Sequence, residues 1–137
     1  MSDMTIAALA RAGGVGVETV RYYQRLGLMP EPPRPAGGGL GGGVRRYDDE
    51  AARRLRFIRA AQTAGFTLHE IGELLELDAT GDRARARTLA EGRIAALDAK
   101  IAALTEARAA LSRLADDCAT GGKGRCPILT AFEAPAA

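Results

Sequence analysis

Two cysteines near the C-terminal end carry the side chains best suited to chemistry. Cys118 and Cys126 are separated by seven residues, Ala-Thr-Gly-Gly-Lys-Gly-Arg, and Pro127 follows them. The three glycines in this segment allow the chain to fold back, so that both sulfur atoms face one point. Two thiolates in that arrangement suit linear coordination of a soft ion, Cu(I), Ag(I), Au(I) or Hg(II), whereas Zn(II) usually takes four ligands.

Other interpretations of the cysteine pair stay open. A disulfide between Cys118 and Cys126 would make the chain a thiol-redox switch, and thiolates without a DNA-binding role would make it a small metal buffer. Two cysteines in a chain of this kind favour a reduced, cytosolic setting. The lone histidine, His69, is interpreted as a helix-capping or solvent-exposed residue. No catalytic combination of nucleophile and base is apparent, so the sequence does not predict an enzyme.

A long apolar stripe from about Leu89 to Cys118 must position these cysteines. No glycine or proline lies between Arg93 and Ala119, and the alanine-rich surroundings favour a helix. Apolar residues recur in steps of three and four, a heptad pattern typical of a helix that packs against another long helix. Because the chain offers no second helix of that length, the pattern predicts a homodimer. The seam consists of Ala90, Ile94, Leu97, Ile101, Leu104, Leu111, Ala115 and Cys118.

Charge and composition place the opposite end of the chain against a different partner. The 137 residues carry a net charge of only +2, and 47% of them are hydrophobic without any tryptophan, which favours an α-helical protein. Residues 1–60 contain ten arginines against six acidic residues, a basic balance that suits nucleic acid. No apolar run approaches the roughly 20 residues of a membrane span, and the first residues do not resemble a signal peptide.

The N-terminal residues predict two short helices and a wing. Thr5 can cap a helix from Ile6 to Arg11, and a second helix follows from Val17 to Leu26 after Gly13-Gly14, a helix-turn-helix pattern. Four prolines between residues 30 and 35, a glycine-rich run over 37–43 and the β-prone residues 44–47 predict a hairpin, although a plain linker would have a similar composition.

Two further helices complete the predicted head. Asp48 can cap a helix over 49–64 that buries Ala52, Leu55, Ile58 and Ala61. Thr67 and Glu70 can form a capping box for a helix over 68–77, followed by a linker over 78–82. The predicted divisions are therefore a DNA-binding domain over 1–78, a linker and dimerisation helix over 79–118, and a cysteine loop with a tail over 119–137.

The order of these parts and four motifs resemble the MerR family of transcription regulators. The resemblance implies an all-α fold, with a winged helix-turn-helix head and a C-terminal dimerisation helix in an antiparallel coiled coil. It also implies a homodimer that binds promoter DNA and, when the ion binds, distorts it so that RNA polymerase engages. The motifs are Val17-Glu-Thr-Val-Arg-Tyr-Tyr-Gln-Arg-Leu-Gly-Leu28, Arg45-Arg46-Tyr47, Ala64-Gly-Phe-Thr-Leu-His-Glu-Ile-Gly-Glu-Leu-Leu75 and Cys118 with Cys126-Pro127.

The resemblance assigns DNA contacts to two elements. Arginine offers forked donors to phosphate or guanine, and a tyrosine hydroxyl donates to phosphate. Tyr22 is left open between a DNA contact and a core aromatic beneath the wing. The assigned residues are Glu18, Thr19, Arg21 and Tyr23 on the recognition helix and Arg34, Arg45, Arg46 and Tyr47 on the wing.

The identity of the ion is the point on which two features of the sequence conflict. Relatives that sense divalent ions, mercury included, carry a third cysteine at the start of the dimerisation helix, and that position holds Arg83 here. Copper-type relatives lack that cysteine and share the loop spacing, whereas the rest of the chain resembles the mercury regulators. A bis-thiolate Cu(I) site carries a charge of −1, so Arg83 of the other subunit nearby would favour Cu(I) or Ag(I) over Hg(II).

Overall fold

The computed structural model describes residues 3–36 and 43–133, and the elements found in those ranges are helices. The all-helical prediction is therefore confirmed, and the first four helices begin at the predicted residues. The chain forms two compact units, residues 1–89 and 90–137, each described in turn below. The helices are α1 (Ile6–Ala12), α2 (Val17–Arg25), α3 (Asp49–Thr63), α4 (Leu68–Thr80), α5 (Arg83–Thr120) and α6 (Pro127–Glu133).

The helix starts follow from side-chain caps. The Thr5 hydroxyl accepts a hydrogen bond from the Ala8 N–H at 3.2 Å, and the Asp48 carboxylate accepts one from the Ala51 N–H at 3.0 Å. At α4 the capping box is complete: Thr67 accepts from the Glu70 N–H at 3.1 Å, and Glu70 accepts from the Thr67 N–H at 2.8 Å. Satisfied terminal N–H groups of this kind explain why these boundaries are readable from sequence.

The hydrophobic core of the first unit is built from α1, α2, α3 and α4. Burying a side chain of the size of leucine or isoleucine stabilises the fold by about 1.5–3 kcal/mol. Gly13 lets the turn between α1 and α2 lie against α3, because a Cβ atom there would overlap the side chain of Leu55. The largest side chains removed from solvent are Leu9, Val20, Leu55, Ile58 and Ile71.

The connection from α4 to α5 is shorter than predicted. Instead of a linker over 78–82, α4 continues to Thr80 and ends at Gly81, whose φ of 74° lies in the left-handed region that favours glycine. Asp82 then caps α5, accepting a hydrogen bond from the Arg85 N–H at 3.1 Å. An ion pair between Arg85 and Glu73, at 3.0 Å, joins the first turns of α5 to α4 within the first unit.

The wing differs from the predicted hairpin where the structure describes it. The N–H of Tyr47 donates to the Met4 carbonyl at 2.8 Å, and the Met4 N–H donates to the Tyr47 carbonyl at 2.9 Å. The return segment therefore pairs with the N-terminal residues, and the stem of the wing is joined by one bond from the Gly43 N–H to the Pro35 carbonyl, at 3.0 Å. The glycine-rich tip, 37–42, lies outside the described residues.

The second unit consists of most of α5, the cysteine loop and α6. Helix α5 extends two residues beyond the predicted end at Cys118, to Thr120, and none of its side chains is buried by its own chain. The seam residues Ile101 and Leu104 are 60% and 64% exposed in the single chain. Their exposure leaves the seam available to a second copy, and the coiled-coil prediction stays a prediction. No helix in the described residues is long and apolar enough to cross a membrane.

Candidate metal centre and nucleic-acid interface

The cysteine loop brings the two predicted metal ligands together. Cys118 lies in the last turn of α5, and Cys126 lies immediately before Pro127, the first residue of α6. Both are free thiols, and their sulfur atoms are 2.8 Å apart. Gly124 adopts a φ of 119°, a conformation that side-chain-bearing residues rarely take, so a glycine is needed for the loop to return.

Sequence reasoning missed helix α6, since 119–137 was predicted as loop and tail. The signal was present: proline is favoured at the first position of a helix, and Pro127 occupies that position. The Cys126 carbonyl accepts from the N–H groups of Leu129 and Thr130 at 3.0 and 3.3 Å, so the second cysteine begins the helix. A bidentate ion pair between Arg125 and Glu133 joins the residue before Cys126 to the end of α6.

The two thiols are chemically unequal. The pKa of the Cys126 thiol is lowered because the Cys118 S–H donates to its sulfur and because the N–H groups of Ile128 and Leu129 also point at it. The pKa of the Cys118 thiol is raised, first by holding the proton of that hydrogen bond, then by partial desolvation and the nearby Cys126 charge. Below the pKa of Cys118, the pair therefore consists of one thiolate, on Cys126, and one thiol.

This inequality predicts an order of alkylation. Iodoacetamide reacts with the thiolate form, so we expect Cys126 to be modified before Cys118 in the reduced, metal-free protein near neutral pH. Raising the pH through 9 should bring the two rates together, because Cys118 then loses its proton as well. Peptide mass mapping of partially alkylated samples measures the ratio directly. Equal rates at neutral pH, or faster reaction at Cys118, would contradict the assignment of the proton to Cys118.

At the other end of the chain, α2 exposes the predicted DNA-contacting residues on one face. Arg21 is paired with Glu18 at 2.9 Å, and their side chains are 53% and 79% exposed. Thr19 is half-buried. The Arg21 guanidinium is thus held on the solvent side of the helix with donors available to an anion, and its contact with DNA stays a prediction.

The placement of the two adjacent tyrosines corrects the sequence interpretation. Tyr23, predicted to face DNA, is only 2% exposed, and its hydroxyl donates to the Gln62 side chain at 2.6 Å. Tyr22, left open above, is the exposed ring at 44%, with the Arg25 guanidinium 5.8 Å from its centroid. Consecutive residues are rotated by about 100° around a helix, so Val20 and Tyr23 share the core face while Tyr22 leaves it.

The predicted wing residues divide in the same way. Arg34 and Arg46 are exposed, whereas Arg45 is half-buried: its Nε donates to the Pro32 carbonyl at 2.8 Å, and its guanidinium lies 3.3 Å from Glu31. Tyr47 is 3% exposed, so its ring belongs to the core rather than to the DNA-facing surface. The physical reason is the backbone pairing with Met4, which turns Tyr47 inward.

A basic groove joins the recognition helix to the wing. It encloses about 430 Å³ and brings four arginines around one acidic residue, a balance that favours a phosphate backbone. Sequence reasoning missed two of its residues, Gln24 and Arg25, which lay inside the quoted helix motif without an assigned role. The groove is lined by Ile6, Arg21, Gln24, Arg25, Glu31, Arg34, Gly43, Val44, Arg45 and Tyr47.

Comparison with known proteins bears on both ends of the chain. Residues 4–78 match the family described as "MerR HTH family regulatory protein", and residues 52–114 match "MerR, DNA binding". Together these matches span most of the sequence. The chain belongs to the MerR family. As a MerR-family protein it is a DNA-binding transcription regulator and not an enzyme.

Individual relatives of this MerR-family regulator are regulators of metal resistance. The chain is 39% identical over 134 residues to the mercuric resistance operon regulatory protein of Serratia marcescens, covering 97% of this chain and 90% of that one. It resembles the crystal structure of a lead(II)-bound transcription regulator from Ralstonia metallidurans, with TM-score 0.68, 31% identity, and coverage of 94% and 98%. A mercury(II)-bound regulator from Bacillus megaterium gives TM-score 0.59, 34% identity, and coverage of 96% and 100%.

Proposed function

We propose that this protein is a metal-responsive activator that binds its promoter as a homodimer and takes one soft ion per subunit between Cys118 and Cys126. The observation that carries the proposal is the approach of two free thiols to 2.8 Å on a glycine-containing loop. Soft thiolates select ions such as Cu(I), Ag(I) or Hg(II) over Mg²⁺ or Ca²⁺. The likeness to mercury and lead regulators supports a soft ion of this class.

Ion binding requires the cysteine loop to open. Two metal–sulfur bonds of about 2.3 Å, the length found in zinc thiolates, separate the sulfurs by about 4.6 Å when they are collinear. The observed 2.8 Å is shorter by about 1.8 Å, so Cys126, Cys118 or both must move. Gly122 and Gly124, which have no neighbouring atoms against the space of a Cβ, allow that adjustment. In the proposed mechanism this movement begins the signal, which ends in distortion of the promoter and engagement of RNA polymerase.

Charge is proposed to select between monovalent and divalent ions. Arg83, the first residue of α5, is exposed, so its guanidinium can face the ion site of another subunit. A bis-thiolate Cu(I) or Ag(I) complex carries −1 and is stabilised by such a cation, whereas the Hg(II) complex is neutral and gains little. This argument favours the monovalent ions. Similarity to the mercury regulators favours Hg(II), which makes the ion the central quantity to measure.

Arg83→Cys is the variant that tests the charge argument. It removes the proposed compensating cation and supplies a third thiol, so we expect the response to shift from Cu(I) or Ag(I) toward Hg(II) and other divalent ions. Reporter induction across a panel of ions, with metal content of the reduced protein, measures the ranking. Arg83→Gln, which removes the charge without adding sulfur, separates the two causes.

Two results would contradict the charge argument. One is a wild-type protein that answers only to Hg(II), and the other is a ranking of ions that Arg83→Cys leaves unchanged. In either case the two cysteines would select their ion by geometry alone.

The same short sulfur–sulfur distance favours thiol-redox sensing as a second candidate function. Loss of two protons and two electrons to a peroxide would join Cys118 and Cys126 as a disulfide, with water as the product. Metal stoichiometry under reducing conditions distinguishes the two candidates. A metal sensor retains one ion per subunit, whereas a redox sensor responds to peroxide in the presence of a metal chelator.

A further inference from the structure

The Gln24 side chain connects the recognition helix to both ends of the wing. Its Nε2 amide donates to the Pro30 carbonyl at 3.0 Å and to the Tyr47 hydroxyl oxygen at 2.7 Å. Because a carbonyl oxygen can only accept, the group that faces Pro30 must be the NH₂ of the amide, and chemistry fixes the orientation of the side chain. Both of its N–H donors are therefore used within the fold.

The two acceptors lie where the wing leaves and rejoins the head. The chain leaves the helix-turn-helix through Pro30, passes Arg34 and the tip, and returns through Arg46 to Tyr47. Tyr47 is anchored independently, since its ring is buried and its backbone pairs with Met4. Gln24 is half-buried on the wall of the basic groove, so these bonds are partly shielded from competing water.

We infer that Gln24 is a positioning residue for DNA binding, fixing the wing against the recognition helix so that both contact the duplex as one rigid surface. The inference rests on the DNA-binding function of the family. When two contacts are held at a fixed spacing, the second forms without the entropic cost of finding its site, so affinity exceeds that of either contact alone. Removal of the two bonds would leave the wing arginines intact but detached from that spacing.

The chemistry of the position is specific to a side chain with two donors. Glutamate has the same shape but only accepts, so its carboxylate would face the Pro30 carbonyl with no proton between them. Methionine matches the length and removes both bonds without adding charge. Lysine supplies several N–H donors on a stem of similar reach and preserves the donor pattern. These three substitutions separate the shape, the charge and the donor capacity of the residue.

The test is whether Gln24 controls the contribution of the wing and not that of the helix. The probe is the best-binding duplex of about 30 base pairs selected from a random pool by the wild-type protein, long enough for two half-sites about one helical turn apart. In the wild-type background we expect Arg46→Ala to weaken binding about tenfold and lower the salt slope by about 0.9, as for one lost phosphate contact. The same measurement is made with Arg34→Ala.

In the Gln24→Met background we expect Arg46→Ala and Arg34→Ala to change the affinity less than about twofold and to leave the salt slope unaltered, because the wing no longer reaches its phosphates. Arg21→Ala should retain its full effect, because the recognition helix is undisturbed. A merely structural role for Gln24 would scale all three effects alike. Gln24→Lys should restore the wing effects, and Gln24→Glu should abolish them, a pair that suffices if the methionine variant does not fold.

The outcomes assign the failure to one claim or the other. A wild-type protein that binds no duplex removes the DNA-binding function itself. A wild-type protein that binds, with wing effects of equal size in the Gln24 and Met backgrounds, overturns only the positioning role. Absence of any effect of Arg34→Ala and Arg46→Ala in the wild type overturns it as well, since no wing contact would then exist to be positioned.

Discussion

Cys126→Ser is expected to abolish metal-driven transcription while leaving operator binding by the metal-free protein within about twofold of wild type. Structural zinc sites with four ligands bind with about 10–16 kcal/mol, so one thiolate contributes about 3 kcal/mol, roughly a hundredfold in affinity. A two-ligand site that loses one sulfur has no other ligand on this loop to replace it. Cys126 is therefore the single residue on which we expect the ion response to depend most strongly, with Cys118→Ser its equal.

Reporter induction and metal content of the reduced protein measure this effect, with gel-shift affinity as the check on DNA binding. Thr120→Ser is the matched control, because it alters a residue between the cysteines but keeps the hydroxyl that donates to the Asp116 carbonyl. Full induction in Cys126→Ser would exclude the loop as the sensor. Loss of operator binding by the metal-free variant would show that the cysteines stabilise the fold instead of reporting the ion.

Ile101→Glu is expected to convert the dimer to monomer. An unpaired charge buried in a seam costs about 3–5 kcal/mol, which weakens association by roughly a thousandfold. Ile101 lies in the middle of the heptad pattern and is 60% exposed in the single chain, so it has room for glutamate only if no second copy covers it. Sedimentation or light scattering gives the mass, and binding to the two-half-site operator should fall with it.

The control for this change lies on the same helix. Ala99→Glu adds an identical charge two residues away, on the opposite side of the heptad, and should leave the dimer intact. A stable dimer carrying Ile101→Glu would show that the seam runs along another face. Monomer formation by both variants would point to a general effect of charge and not to the packing of this seam.

Much of the head could be predicted from the sequence because its helix boundaries are local events. Thr5, Asp48 and Thr67 each satisfy N–H groups within their own first turn, so the signal lies within a few residues. The buried residues Leu55, Ile58 and Ala61 of α3 follow the helical period for the same reason.

The remaining features depend on tertiary contacts that no periodicity contains. The burial of Tyr23 instead of Tyr22 depends on the Gln62 acceptor, 39 residues away, and the inward turn of Tyr47 depends on pairing with Met4. In the candidate site, the glycines predicted the return of the loop, and the structure brings the two sulfurs together. The unequal thiols were beyond prediction, because they depend on where α6 begins.

The complete absence of buried side chains in α5 has a consequence for the living supply of this regulator. A helix that buries nothing in its own chain is marginal alone, so the rod gains its stability from the encounter with a second copy. Folding of this half is then a reaction of second order. Each tenfold rise in protein concentration adds about 1.4 kcal/mol to the rod, while the head, with its own core, gains nothing. A cell that makes few copies would hold intact heads on frayed rods, and abundance itself would become an input to the switch.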